Sequence, residues 1–81
     1  MLLVSWNPVK SRRLKRTRGV SFDEIIGAEL VEVFSHPKRP DQNIILFKHK
    51  GYIWVVPFVR SENGIFLKTL YPSRKYTKIY R

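Results

Sequence analysis

The sequence contains no cysteine. Disulfides, thiolate metal sites and thiol nucleophiles are therefore excluded from its stability and its chemistry. Long apolar runs are also missing. No segment approaches the ~18 residues that a membrane span needs, and Met1 to Trp6 has no basic stretch ahead of its apolar residues. The expected location is the cytoplasm, with no membrane partner. Acid is scarce, with six Asp and Glu against sixteen Lys and Arg, a formal charge of +10. Neither a carboxylate pair, a Ser-His-Asp pattern nor a glycine loop for phosphates is present, so protease, glycosidase and NTPase chemistry find no support. The two histidines, His36 and His49, have no ligand spacing. No metal and no small-molecule cofactor is expected.

What is present is a core and an excess of positive charge. Of the 81 residues, 43% are hydrophobic and 14% aromatic, which argues against disorder. The length suits one domain over residues 1–81, although a chain this short buries only about 60% of its unfolded surface. The charge excess costs self-repulsion in the folded state. Its natural use is association with a phosphate backbone, which releases counterions on contact with Lys and Arg. RNA is the first partner to expect.

The spacing predicts an α+β fold of order β-α-α-β-β-β-α, with two N-terminal helices packed on an antiparallel sheet. Leu2 to Trp6 reads as a strand. Asn7-Pro8 is an N-cap followed by proline at the first helical position, and Gly19 stops the helix after Arg18. Ser21-Phe22-Asp23-Glu24 is a capping box, with Val20 and Ile25 spaced as a hydrophobic staple. Phe22, Ile25, Ile26, Leu30, Val33 and Phe34 then recur at helical spacing, which predicts a second, longer helix carrying Asp23, Glu24, Glu29 and Glu32. Residues 36–40 form a loop with two prolines. Ile44 to His49 and Tyr52 to Arg60 read as a hairpin turning at Lys50-Gly51, pairing Phe47 with Trp54 and Ile45 with Val56. Pro57 predicts a bulge or an edge. Asn63-Gly64 marks a second turn, Ile65 to Tyr71 another strand, and Arg74 to Arg81 a short basic helix or ordered arm.

Three basic groups are candidates for chemistry. Lys10, Arg12, Arg13, Lys15, Arg16 and Arg18 line the first helix with no acid at i+4 to pair with them, so they read as phosphate contacts. A solvated face is the plainer alternative. Arg60 ends an apolar strand, where it either pairs with Glu62 or holds a phosphate through its planar fork. Lys68 interrupts an apolar strand, and Arg74 and Lys75 open the final helix, with Lys78 further along it. Lys68 is either an ordinary outward residue or a group placed to stabilise phosphorane charge. His49, on the strand face of Phe47 and Ile45, is the acid–base candidate, although a histidine so placed is more often simply a hairpin-end residue.

Trp6-Asn7-x-x-Lys10, then Gly19-Val20-Ser21-Phe22, resembles the BrnT family of bacterial type II toxins. Val59-Arg60, the Glu62-Asn63-Gly64 turn and Ser73-Arg74-Lys75-x-Thr77 extend the resemblance over nearly the whole chain. It implies a RelE-like fold, metal-independent ribonuclease activity that halts translation, and a cognate antitoxin protein as partner. Lys10, Arg60, Arg74 and Lys75 are the positions matched to the family's motifs, with Lys10, Arg60, Lys68 and Arg74 the expected catalytic set. The family commonly has Lys-His before the glycine, where this chain has Thr17-Arg18.

Overall fold

The computed structural model describes residues 3–39 and 41–80. Its elements run β1 (Leu3–Ser5), α1 (Pro8–Arg18), α2 (Phe22–Ile25), β2 (Glu29–Ser35), β3 (Asn43–His49), β4 (Tyr52–Ser61), β5 (Gly64–Leu67), β6 (Tyr71–Pro72) and α3 (Arg74–Tyr80). The fold is α+β, built on a mixed sheet of order β1-β5-β4-β3-β2, with β6 added to β4. β1 pairs with β5 in parallel, and the other ladders are antiparallel.

Helix signals near the N-terminus act as their chemistry dictates. The Asn7 side chain accepts from the N–H groups of Val9 and Lys10, Pro8 opens α1, and Gly19 closes it at φ 82°. Ser21 and Glu24 form the reciprocal capping box of α2. That helix lasts a single turn, however. Its expected continuation to Phe34 is the strand β2, so Glu29 and Glu32 lie on a sheet edge and not on a helix.

A bulge accounts for the misleading spacing. The β2–β3 register shifts between Leu30 and Glu32, leaving Val31 as the extra residue. Leu30 opposite Phe47 and Val33 opposite Ile45 thereby share one face although they are three residues apart. One inserted residue converts a period of two into an i, i+3 step, which imitates a helix.

The hairpin of β3 and β4 has the expected register, Phe47 opposite Trp54 and Ile45 opposite Val56. Its turn residues Lys50 (φ 54°) and Gly51 (φ 76°) are both left-handed, as a tight hairpin requires. The next turn is displaced by one residue. Ser61 pairs with Gly64, so Glu62 and Asn63 make the loop and Gly64 begins β5. Gly64 answers to a different demand, since a Cβ there would overlap the Leu3 carbonyl of β1.

Pro57 makes neither a bulge nor an edge strand. It lies in central β4 opposite Ile44, and its carbonyl accepts from Lys68 N at 2.9 Å. In an antiparallel strand a residue's N–H and C=O point to the same side. The missing donor therefore falls where the chain leaves the ladder between Leu67 and Tyr71. The strand expected over Ile65 to Tyr71 is accordingly split into β5 and β6.

Both faces of the sheet are covered. Leu14 of α1 and Phe22 and Ile25 of α2 pack on Ile45, Phe47, Trp54, Val56, Phe58 and Leu67. On the other face Ile44, Leu46, Ile53 and Val55 are covered by Tyr76 and Tyr80 of α3. Docking of α3 is polar as well. Ser73 N donates to the Ile53 carbonyl at 2.9 Å, and Ile53 N donates to Thr77 Oγ1 at 2.8 Å. The expected C-terminal arm is thus a helix, Arg81 lying outside the described residues. Among the described residues no helix is long and apolar enough to cross a membrane.

Candidate nucleic-acid interface

α1 buries only Ser11 and Leu14, so its cations project from both flanks of a narrow contact stripe. Helical spacing puts Lys10, Arg13 and Thr17 on one flank and Arg12 and Lys15 on the other. The two flanks meet different surroundings.

On the Arg12 flank the acids of α2 approach. Lys15 Nζ lies 2.8 Å from Glu24 Oε1, and also donates to the Gly19 carbonyl. Glu24 accepts in addition from Ser21, and these contacts, led by the Lys15 hydrogen bond, hold its carboxyl down to about 2. Lys15 is therefore committed to the fold. The acid that pairs with it comes from the next helix, beyond the i+4 position where pairing would be visible along α1. Ser11 Oγ donates to Asp23 Oδ1 at 3.2 Å and accepts from Phe22 N at 3.0 Å, which ties the two helices together through a buried hydroxyl. Trp6, Ser11, Arg12, Lys15, Asp23 and Glu24 border a groove of about 500 Å³ on this side.

On the Lys10 flank no carboxylate is among the charges that act on Lys10. Lys10 is brought near Arg13, Arg18 and Lys68. Partial burial first, then the positive charges of Arg13, Lys68 and Arg18, lower its pKa from the ordinary lysine value. Arg18 Nη1 donates to the Leu70 carbonyl, tying the end of α1 to the segment that carries Lys68. Lys68 also borders a second hollow of about 210 Å³, with Arg39, Asp41, Gln42 and Val59. Among the described residues Arg12, Arg13 and Arg16 make no side-chain hydrogen bond or ion pair.

The remaining expected site residues are dispersed. Arg60 is exposed near the end of β4 opposite Ile65, and no ion pair joins it to Glu62. Lys68 is bonded at Pro57, three residues back along β4, hence ~10 Å from Arg60 along the strand. Arg74 follows Ser73, which is bonded to Ile53 at the other end of β4. Seven residues of strand separate Ile53 from Arg60, about 23 Å. α3, which carries Arg74, Lys75 and Lys78, also packs on the face opposite α1. Lys10 and Lys68 are thus brought together, Arg60 lies nearby, and Arg74 belongs to a separate surface. Arg74 and Lys78 border a shallow hollow with Tyr52 and Thr77, and Lys75 Nζ sits 5.5 Å from the Tyr76 ring centre.

Neither histidine joins the Lys10 group. His36 Nδ1 accepts from Lys38 N in the β2–β3 loop, and His49 Nε2 is buried without a hydrogen-bond partner. Among the described residues no three of His, Cys, Asp and Glu gather to hold a metal ion. Sequence spacing did not reveal Arg39 and Gln42 as neighbours of Lys68, or Trp6 and Asp23 as walls of one groove. Those meetings arise from the sheet register and the helix–helix contact. No family model matches the chain, and no curated protein or solved structure matches it.

Proposed function

We propose that this protein is a ribonuclease toxin of a bacterial type II toxin–antitoxin module, in a RelE-like architecture. RNA would be held on the Lys10 flank of α1. One observation carries the binding part of this reading: Lys10, Arg13, Arg18 and Lys68 converge with no carboxylate among the groups acting on Lys10. Uncompensated like charge costs energy in the folded state, and a phosphate backbone removes that cost. The cleavage part rests on the ordered motifs Trp6-Asn7-x-x-Lys10, Val59-Arg60 and Ser73-Arg74-Lys75 and their resemblance to BrnT toxins.

In this reading a 2′-hydroxyl attacks the adjacent phosphorus and passes its proton to solvent water, the bond from phosphorus to the 5′-oxygen breaks, and that oxygen takes up a proton. Lys10 and Lys68 stabilise the charge gathering on the phosphoryl oxygens. Lys10, with its lowered pKa, gives up a proton more readily than an ordinary lysine. Arg60 meets a neighbouring phosphate. Arg74, Lys75 and Lys78, on the opposite face, contact another stretch of RNA or the acidic surface of a cognate antitoxin.

A non-catalytic RNA-binding module is the second reading. It is favoured by the position of both histidines outside the Lys10 group, which leaves no imidazole there to take the 2′-hydroxyl proton. Incubation of total RNA with the protein in EDTA, beside a Lys10→Gln, Lys68→Gln variant, separates the two. Degradation by the parent protein alone supports the toxin. Intact RNA with a salt-sensitive gel shift supports the binding module. Equal degradation by both proteins places the chemistry elsewhere and defeats the proposed site.

A further inference from the structure

The groove between α1 and α2 contains more recognition chemistry than a phosphate contact needs. Most of its polar groups are already satisfied. Lys15 and Glu24 hold each other, Ser21 serves the capping box, and Ser11 is spent between Asp23 and Phe22. Two groups face solvent and are open to a ligand, Asp23 and Arg12. Asp23 accepts one hydrogen bond, at Oδ1, and Oδ2 has no partner among the described residues. The guanidinium of Arg12 likewise has none. Beside them stands Trp6, half-buried, its ring packed 6.0 Å from that of Phe22 and so fixed in place.

An aromatic wall, a carboxylate edge and a guanidinium in one hollow of about 500 Å³ match a nucleotide, ring and phosphate together. The carboxylate also selects among bases. It accepts hydrogen bonds and donates none. Guanine alone offers two adjacent donors on its Watson–Crick edge, N1–H and the N2 amino group. Adenine and cytosine each present a ring-nitrogen acceptor beside their amino group, and uracil sets its single N–H between two carbonyls. An ionised carboxylate repels those acceptors.

We propose that this groove is a guanine site on single-stranded RNA. Trp6 stacks on the base, Asp23 accepts from its N1–H and N2–H groups, and Arg12 meets the adjoining phosphate. The proposal rests on the RNA-binding reading above and adds base selection to it. Its place on the flank of α1 opposite Lys10 lets one strand cross the exposed outer side of the helix, past Arg16, with phosphates on one flank and a base seated on the other.

The test uses 2′-O-methyl hexanucleotides, which lack the nucleophile for cleavage: an all-uridine strand and the same strand with one central guanosine. Binding is followed at low salt by anisotropy and by tryptophan fluorescence. The guanosine strand should bind about ten-fold more tightly, as expected for a good paired base contact, and should quench fluorescence more. Asp23→Asn should abolish that preference without weakening all-uridine binding, because an amide replaces one acceptor with a donor and removes a charge that repels phosphate. Trp6→Leu should remove the guanosine-dependent quenching. Tight all-uridine binding with no preference in the parent protein, or a preference that survives Asp23→Asn, overturns the guanine site and leaves the RNA reading intact. Failure of both strands to bind overturns both.

Discussion

At the scale of single residues, the groups that hold the N-terminal half together are polar and few. Ser11 is 3% exposed and satisfies two partners at once, the Phe22 N–H and the Asp23 carboxylate. Ser11→Ala strands the buried Phe22 donor, so chemical denaturation should show a loss of about 1–3 kcal/mol. Glu24 is tested through pH. Its folded pKa, about 2, lies below its ordinary value of 4.5, so its contribution is complete above about pH 5 and is lost as pH falls towards 2. Glu24→Gln should lower the melting temperature at neutral pH, and the difference from the parent should close by about pH 2. A difference that persists at pH 2 would show that the capping box acts by shape and not by charge.

Among the elements, β1 depends most on one position. It has three residues, pairs only with β5, and approaches Gly64 so closely that any side chain there meets the Leu3 backbone. Gly64→Ala should detach β1 while the β3–β4 hairpin stays folded. Amide exchange reads this directly, with protection lost at Leu3 and Ser5, whose N–H groups face β5, and retained at Leu46 and Val55. Protection unchanged throughout would mean that the β1–β5 ladder shifts to accommodate the methyl group. β2 presents a related case. Its bulge at Val31 turns Leu30 and Val33 to one face, where they remain 58% and 50% exposed beside the better-covered Phe47 and Ile45.

At the scale of the whole molecule, positive charge sets stability against binding. Lys10 is protonated in the folded state at a cost, because burial and neighbouring cations lower its pKa. That cost is present at neutral pH and disappears as pH rises past the lowered value towards 10.5. Lys10→Gln should therefore raise the melting temperature of the free protein at low salt, with a gain that shrinks as salt is added. The same change should weaken RNA binding and reduce the slope of log affinity against log salt by about 0.7 for each phosphate left without its cation. A variant both less stable and still fully RNA-binding would remove Lys10 from the interface.

The sequence by itself determined whatever is settled within a few residues. The Asn7 and Ser21 caps, the Gly19 stop and the Lys50-Gly51 hairpin with its register all follow from local hydrogen-bonding and φ preferences, which act without knowledge of the rest of the chain. The net charge is equally a property of the sequence. Tertiary structure alone decided that residues 29–35 form a strand, since a bulge made their spacing helical and only the ladder to β3 distinguishes the two. It also decided which cations remain available. Lys15 is taken by Glu24 and Arg18 by the Leu70 carbonyl, whereas Lys10 is left beside Lys68, 58 positions away in the sequence. Charge can be counted along a chain, but its pairing depends on distances that exist only after the sheet has registered and the helices have packed.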